Sequence, residues 1–478
     1  MSQSPIQFGT GGWRAVIGDE FTKANIILVG KAVALRILRE GAEKLPVVIG
    51  YDRRFLSKEA MIWLGETIAS NGIRVKLVQS SCPTPMVMHT VMKNDYAYGL
   101  MVTASHNPSL YNGIKLFTRG GRDANEIVTG EVEEILAELT EQDPTSPVRS
   151  LEELTEVGLI EFFNPINEYL DDILAKVDVQ AIRNAHLKIA VDPLFGVSVR
   201  ALNTIFATTR CEVEMLHAEH DTLFAGKTPA PDASTVRSLQ TRVTDYAFDL
   251  GIATDGDADR IGLVDDLGRY VDANEILCIL YYYFLEFKKM KTPVVKNLAT
   301  TCVLERIAAH YGQDCYEVPV GFKYVSAKMA ETGAFLGGEG SGGLTVAGHI
   351  NGKDAIYAAT LLVETIAKTG KKLSELADEG HSKFGSFLMK EDNLSFRADR
   401  KEELIRRIYR EHELPDLGQP VARASYLDGC KVWLEDGSWL LIRFSGTEPL
   451  LRIFAEVPAE NAALAADLCH RIRAHFQL

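Results

Sequence analysis

Hydrophobic positions along this chain switch repeatedly between two periods. Residues 23–40 carry apolar side chains at helical spacing, with Thr22 placed to cap the first turn. Leu45–Tyr51, Arg74–Val78 and Tyr98–Val102 are short apolar runs of strand length, with a further helix between the first two. Val128, Val132, Ile135, Leu136 and Leu139 recur on one face, which predicts an amphipathic helix over 124–142. Asp143-Pro144-Thr145-Ser146-Pro147 then breaks the pattern as a linker. Strands are next expected at Leu187–Val191, Glu212–His217, Leu250–Thr254 and Ile261–Val264, and again at Pro293–Asn297, Cys315–Val318 and Ala334–Leu336. Beyond about residue 380 the character changes. Lys431–Leu434 and Trp439–Phe444 flank Glu435-Asp436-Gly437-Ser438 as a β-hairpin, and the last helix is expected at 458–476.

This alternation predicts three consecutive α/β domains with mixed sheets and a smaller C-terminal α+β domain, with boundaries at 1–148, 158–267, 268–378 and 385–478. The length of 478 residues agrees, since one core does not grow so large. Composition adds exclusions. The 46% hydrophobic and 24% charged fractions are those of an ordinary globular protein, and the formal net charge of −14 disfavours nucleic acid and anionic lipid as partners. No stretch approaches the ~18 apolar residues of a membrane span, and Met1-Ser2-Gln3-Ser4-Pro5 has no signal pattern. The seven cysteines are scattered without a C-x-x-C pair and read as reduced, which makes a cytoplasmic location the expectation. Nothing in the sequence bears on oligomeric state.

The candidate chemistry sits where apolar runs end. Thr103-Ala104-Ser105-His106-Asn107-Pro108 follows the run Tyr98–Val102, and Asn107-Pro108 and Asn112-Gly113 are turn signals. Ser105 is thus delivered to the carboxyl end of a strand, where α/β sheets place their ligands. Asp255-Gly256-Asp257-Ala258-Asp259-Arg260 lies between two apolar strands. Three carboxylates on alternate residues call for a cation, and oxygen ligands alone suit a hard divalent metal such as Mg²⁺. A calcium EF-hand loop does not fit, because its sixth position is Arg260 and its twelfth Asp266, neither glycine nor glutamate. A solvated acidic turn is the plainer alternative, while Arg260 beside the carboxylates points to an anion.

Gly337-Gly338-Glu339-Gly340-Ser341-Gly342-Gly343 sets an acceptor, Glu339, and a hydroxyl, Ser341, in a loop otherwise free of side chains. The pair suits sugar hydroxyls better than phosphate, and the spacing matches no nucleotide motif. Lys323, His349 and Lys353 add charged and proton-carrying groups nearby in sequence. Arg443-Phe444-Ser445-Gly446-Thr447-Glu448-Pro449, with Arg452, makes a compact anion receptor of guanidinium, hydroxyl and backbone N–H groups. Gly9-Thr10-Gly11-Gly12-Trp13-Arg14 is a second glycine-rich turn ending in a guanidinium. Each of these motifs, taken singly, is also what an ordinary surface turn contains.

Together and in this order, they resemble the α-D-phosphohexomutase superfamily of phosphoglucomutases, phosphomannomutases and phosphoglucosamine mutases, over essentially the whole chain. The resemblance implies four domains around a central cleft. It implies that Ser105 is a phosphoserine that passes its phosphoryl group to a sugar monophosphate and is recharged from a bisphosphate intermediate. Asp255, Asp257, Asp259 and the phosphoseryl oxygen of Ser105 would hold Mg²⁺. Lys115 corresponds to a lysine acting as general acid or base, supported by Arg14 and His106, with His349 a second proton carrier. Glu339 and Ser341 would bind sugar hydroxyls, with Arg260, Lys323 and Lys353 also substrate-binding. Arg443, Ser445, Gly446, Thr447 and Arg452 would take the phosphate that is not reacting.

The implied reaction interconverts a hexose 1-phosphate and 6-phosphate, with a sugar bisphosphate such as glucose 1,6-bisphosphate as activator. Glucose is the expected sugar, because Gly343 stands where mannose- and glucosamine-type enzymes commonly carry histidine. Mannose, glucosamine and pentose phosphates stay open, as do a metal-dependent phosphatase and a non-catalytic sugar-phosphate sensor. Intact Ser105 and aspartates count against the sensor, and a phosphatase has no use for the C-terminal anion receptor.

Overall fold

The computed structural model describes residues 6–9, 11–142, 147–444 and 450–478. The first sheet has the order β1-β5-β4-β2-β3-β7, from β1 (Trp13–Val16), β2 (Val47–Tyr51), β3 (Val75–Val78), β4 (Tyr98–Val102), β5 (Tyr111–Thr118) and β7 (Ile160–Phe163), with β6 (Arg122–Asp123) pairing β5 at its side. The strands β2, β3, β4 and β7 are parallel, and β5 returns antiparallel to β4 and β1. Strands β2 and β4 are buried along their whole length. That is why they read as unbroken apolar runs: helices cover both faces of a parallel sheet. Helix Lys23–Glu40 supplies one cover; Thr22 accepts a hydrogen bond from Asn25 N at its start, and Gly41 closes it in the left-handed region at φ 72°. Each Ile, Leu or Val so buried contributes about 1.5–3 kcal/mol of burial free energy.

The second sheet, order β12-β11-β10-β8-β9, is built from β8 (Lys188–Asp192), β9 (Glu212–Met215), β10 (Leu250–Thr254), β11 (Ile261–Val264) and β12 (Tyr270–Val271). Its β10 and β11 are antiparallel neighbours, so residues 255–260 form the connection of a hairpin. In the third segment β13 (Val294–Asn297) lies between β14 (Cys315–Val318) and β15 (Leu336–Gly338), all parallel. Then come β16 (Leu344–Val346) and helix Ala355–Thr369, capped by Asp354. The last sheet is antiparallel, β17-β21-β20-β19-β18, from β17 (Phe387–Ser395), β18 (Val421–Ser425), β19 (Cys430–Leu434), β20 (Trp439–Phe444) and β21 (Leu450–Pro458). Helix Ala462–Phe476 covers it with Leu468, Ile472 and Phe476. The chain forms two compact units: residues 1–276 with 341–376, and residues 277–340 with 377–478.

The elements follow the hydrophobic pattern with some corrections. Asn112-Gly113, expected as a turn, lies inside β5. The Asn112 amide is buried and donates to Phe55 O (3.0 Å) and Ser57 Oγ (3.0 Å), so its polar group is satisfied by internal bonds rather than by solvent at a surface turn. Gly113 lets two segments close on the strand: a Cβ there would lie 2.2 Å from Trp13 O and 2.9 Å from Thr103 O. The first strand near the expected opening of the second domain at residue 158 is β7, and it instead pairs parallel with β3 and completes the first sheet. The strand expected at Ala334–Leu336 sits two residues later, continuing through Gly337 and Gly338 against Met329 and Leu277. The final helix starts at Ala462 because Pro458 ends β21. Most of the expected linker, Asp143–Ser146, lies outside the described residues.

Candidate active site

Two loops of the first unit meet. The turn after β4 holds Ser105 at φ 51°, a left-handed conformation costly for a residue with a Cβ, and Ser105 N donates to Thr103 Oγ1 at 2.8 Å. The Ser105 hydroxyl thereby reaches Asp255 of the β10–β11 hairpin, donating to Oδ2 at 2.6 Å. His106 Nδ1 lies 3.5 Å from the same hydroxyl. Arg14, at the end of the N-terminal glycine turn, donates from Nη1 to Asn107 Oδ1 at 2.7 Å.

In the hairpin, Ala258 at φ 60° bends the backbone so that the N–H groups of Asp259 and Arg260 both donate to Asp255 Oδ1 at 3.0 Å. Asp255, Asp257 and Asp259 are buried, and one oxygen from each lies within 4.8 Å of the others. Three negative charges so close in a buried place repel far more strongly than they would at a solvated surface. Part of the compensation comes from Lys115 on β5, whose Nζ donates to Asp257 Oδ2 (2.6 Å) and Asp259 Oδ2 (2.7 Å). Lys353 Nζ adds a contact to Asp259 Oδ2 at 3.1 Å, and Arg260 Nε lies 3.9 Å from Asp259 Oδ1. Thr84, the first residue of helix Thr84–Lys93, donates to Asp257 Oδ2 at 2.5 Å.

The electrostatics split the three carboxyls. Burial, then repulsion from Asp257 and Asp259, pushes Asp255 well above the ordinary carboxylate range. Burial acts the same way on Asp257 and Asp259, but Lys115, joined by the Thr84 hydroxyl at Asp257 and by Lys353 and Arg260 at Asp259, outweighs it and holds both below that range. Lys115 is in turn held above its usual value, its own burial outweighed by the two aspartates. His106 is driven well below 6.5 by Arg260, by burial and by Arg14.

The arrangement fits a divalent cation by one observation. Asp257 Oδ1 and Asp259 Oδ1 are buried and lack a hydrogen-bond partner among the described residues, although unpaired buried carboxylate oxygens are expensive. Among these residues the three aspartates are also the one group of acidic, histidine or cysteine side chains close enough to share a metal ion. A hard cation with oxygen ligands would satisfy both orphaned atoms.

His349 is brought elsewhere. It is buried beside His89, its Nε2 2.6 Å from Asp354 Oδ2 and its Nδ1 3.6 Å from Asp172 Oδ2. Tyr169 donates its hydroxyl to the same Asp354 carboxylate. The hydrogen-bond partner of His349 is therefore Asp354, the residue that caps helix Ala355–Thr369, and not a residue of the Ser105 turn. Ser341 is exposed in the first unit, near the close approach of Gly342 O to Ile261 N at 3.1 Å. At Gly343 a Cβ would lie 2.1 Å from Lys353 Cδ, so the bare backbone is what lets the lysine stem cross the loop toward Asp259.

The second unit assembles the other predicted groups. Glu339 Oε1 accepts from Asn297 Nδ2 (2.9 Å) and Gly321 N (3.0 Å), at the start of helix Phe322–Thr332, which carries Lys323. One residue back, Val320 N donates to Asp428 Oδ2, which also receives Arg443 Nε at 3.0 Å. A chain of hydrogen bonds thus ties the Glu339 segment to Arg443. Arg443 and Arg452 are direct partners across β20 and β21, two positive charges side by side with Asp428 as the carboxylate partner of Arg443. Ser445, Gly446 and Thr447 lie outside the described residues.

Asp52, Arg54 and Thr84 were missed from sequence. Asp52 and Arg54 follow the buried strand β2 as Ser105 follows β4, so the rule that pointed to Ser105 was available for them too.

Comparison with known proteins agrees with this layout. Family models for phosphoglucomutase/phosphomannomutase match in order: the α/β/α domain I over residues 5–143, domain II over 167–268, domain III over 272–384 and the C-terminal domain over 403–475. A phosphoglucomutase/phosphomannomutase of Thermococcus kodakarensis is 30% identical over 95% of each chain. A phosphoglucosamine mutase of Frankia alni is 31% identical over 98% of this chain and 97% of its own. Among solved structures, a Thermus thermophilus protein described as a phosphomannomutase superposes with a TM-score of 0.85 and 28% identity over the full length of both chains. No helix among the described residues is long and apolar enough to cross a membrane. By four domain matches in order and full-length relatives, the chain belongs to the phosphoglucomutase/phosphomannomutase family of α-D-phosphohexomutases, enzymes that act as phosphotransferring mutases.

Proposed function

We propose that this chain interconverts a hexose 1-phosphate and its 6-phosphate with Ser105 as the phosphoryl carrier. The observation that carries the reading is the 2.6 Å contact of a strained, buried serine hydroxyl with a carboxylate of a triad that has two unpaired oxygens. In the forward half, a sugar hydroxyl attacks phosphorus; the bond to Ser105 Oγ breaks, and the sugar becomes a bisphosphate. In the return half, Ser105 Oγ gives up its proton and attacks the other phosphate; the bond from that phosphorus to the sugar oxygen breaks, that oxygen takes up a proton, and Ser105 regains the group. Asp255, Asp257 and Asp259 would hold a divalent ion, Mg²⁺ by the hardness of the donor set, which when bound supplies charge neutralisation to the transferring group. Arg14 and Arg260 add positive charge around the turn. His106, whose Nδ1 lies 3.5 Å from the Ser105 hydroxyl, and Lys115, bonded to Asp257 and Asp259 of the triad, are assigned the proton transfers. The arginine pair at 443 and 452, with Ser445, Gly446 and Thr447, is assigned to the phosphate at rest; Glu339, Ser341, Lys323 and Lys353 to the remainder of the sugar phosphate. A sugar bisphosphate such as glucose 1,6-bisphosphate would charge Ser105.

Glucose is the first reading for the sugar, supported by Gly343 standing where mannose- and glucosamine-type members commonly carry histidine. Glucosamine is the second, favoured by relatives named phosphoglucosamine mutase. A coupled assay with Mg²⁺ and a trace of glucose 1,6-bisphosphate, comparing the 1-phosphates of glucose, glucosamine, mannose and ribose, decides between them. Interconversion of none, with inorganic phosphate released instead, overturns the mutase reading. Ser105→Ala is expected to lose nearly all turnover and, by intact mass, one phosphate; wild-type rates would remove Ser105 from the carrier role.

A further inference from the structure

One side chain that neither binds nor reacts does much to shape the Ser105 turn. Arg54, just beyond β2, has a guanidinium with no solvent exposure. Nη2 donates to the carbonyls of Ser105 and Asn107, both at 2.6 Å. Nη1 donates to those of Pro108 (2.8 Å) and Tyr111 (3.0 Å). Three of these carbonyls lie in the irregular turn and the fourth at the first residue of β5; Pro108 O also accepts from Tyr111 N at 3.0 Å, and one planar fork ties all four together.

The fork is itself held. Asp52 Oδ2 lies 3.3 Å from Arg54 Nε, and the face of the guanidinium packs on the Phe224 ring at 4.9 Å. Asp52 also accepts from Thr103 Oγ1 and Ser57 Oγ, both at 2.7 Å, and the Thr103 hydroxyl oxygen accepts from Ser105 N. The Asp52–Arg54 pair therefore grips the turn from the Thr103 side chain to the Tyr111 carbonyl. Within that span Ser105 keeps its left-handed φ of 51°, worth about 1–3 kcal/mol of strain that the surroundings must over-determine. A lysine in this place has a compact ammonium with three protons and cannot span four carbonyls.

We propose that Arg54 is a positioning residue for phosphoryl transfer: by clamping four carbonyls it holds the Ser105 turn in the strained shape that aims the hydroxyl at Asp255. The proposal rests on the mutase reading. Its signature is a loss in the transfer step with little change in sugar-phosphate binding, since Arg54 has no exposed surface for a substrate to touch.

The test compares full-length wild type with Arg54→Lys and with Asp52→Asn, which keeps the fork but frees it to shift. For each, kcat, KM, the rate of phosphoserine discharge to added sugar phosphate, the thermal midpoint and amide hydrogen exchange are measured. Arg54→Lys is expected to stay folded, lower kcat and the discharge rate together by about 10²-fold, and leave KM within about 3-fold. Exchange should quicken across 103–111 and stay unchanged in the second unit; Asp52→Asn should show the same pattern more weakly. Unchanged kcat in folded Arg54→Lys overturns the proposal, as does a loss that only tracks the unfolded fraction, or failure of both variants to fold. If wild type itself interconverts no sugar phosphate, the mutase reading fails, and the exchange data still report whether Arg54 holds the turn.

Discussion

In the first unit an ammonium, Lys115 Nζ, sits between the buried carboxylates of Asp257 and Asp259. In the second unit two buried lysines are arranged in a similar way. Lys296 Nζ contacts Glu305 (3.0 Å) and Glu317 (3.4 Å), and Lys431 Nζ contacts the same Glu317 oxygen at 2.5 Å. The difference lies in what remains unpaired. Lys296 also donates to the carbonyls of Thr300 and Thr301, and Lys431 to that of Leu298, and no buried oxygen of Glu305 or Glu317 is without a partner among the described residues. Around Lys115, by contrast, two carboxylate oxygens are buried and unpaired, and a third carboxyl, Asp255, is pushed toward its neutral form. Buried charge alone does not mark an active site. A buried charge cluster with open valences does, because folding alone would have closed them.

The comparison breaks most visibly at Lys115. Lys115→Met removes the counter-charge from two buried carboxylates, a change worth about 3–5 kcal/mol, and should lower the thermal midpoint by roughly 10 °C. Added Mg²⁺ or Mn²⁺ should recover much of that loss, and should stabilise the variant more than wild type, because the cation then takes over the lysine's role. A melting series against metal concentration checks both. If neither protein responds to divalent ions, the open oxygens do not mark a metal site and the contrast between the clusters fails.

The same treatment of the closed cluster should behave differently. Glu317→Gln leaves two buried ammonium groups with Glu305 and backbone carbonyls, and is expected to destabilise by about 2 kcal/mol, less than a fully buried pair because Glu317 is itself 20% exposed. Divalent ions should not rescue it, and kcat of the folded enzyme should hold. Rescue by metal, or loss of activity in folded protein, would mean that the second cluster is also functional.

How far the sequence reaches is seen in the same two places. Ser105 and the acidic hairpin were legible because a fully buried strand is an unbroken apolar run and its end is easily seen: Tyr98–Val102 and Leu250–Thr254 were both located to the residue. Lys115 was identified by resemblance alone. Its strand, β5, was hidden behind Asn112-Gly113, whose turn chemistry is overridden by an internal hydrogen-bond network and by close packing against Trp13. Arg54 and Thr84 act through backbone and side chains distant in sequence, which hydrophobic period does not encode. The edge strand β17, Phe387-Leu388-Met389-Lys390-Glu391-Asp392-Asn393-Leu394-Ser395, was invisible because its apolar and polar residues fall in blocks rather than alternating, and none of them is fully buried. The Lys296–Lys431 cluster likewise offered no sign: each lysine sits singly in a strand, and the pair exists only once β13 and β19 are folded.

The pH dependence of Lys431 sharpens the comparison most cleanly. Lys431 is driven down to about 8 by burial and by Lys296, with Glu317 opposing. In the unfolded chain it titrates near the ordinary lysine value of about 10.4. Between these two values the unfolded state holds more protons than the folded one, so stability rises with pH across that window, and the destabilising cost of the buried charge is present in full below about 8. Lys431→Met carries no such dependence. The wild-type midpoint, measured relative to that of the variant, should therefore climb between pH 7 and pH 10, by at most about 3 kcal/mol of stability. Lys296, held above its usual value, stays charged through the same range and anchors Glu317 in both proteins. A flat difference would mean that Lys431 is as comfortable charged as a surface lysine, and the second cluster would then be closed by electrostatics as well as by hydrogen bonds. A falling difference would mean that its charge is needed for folding, as the charge of Lys115 is in the first.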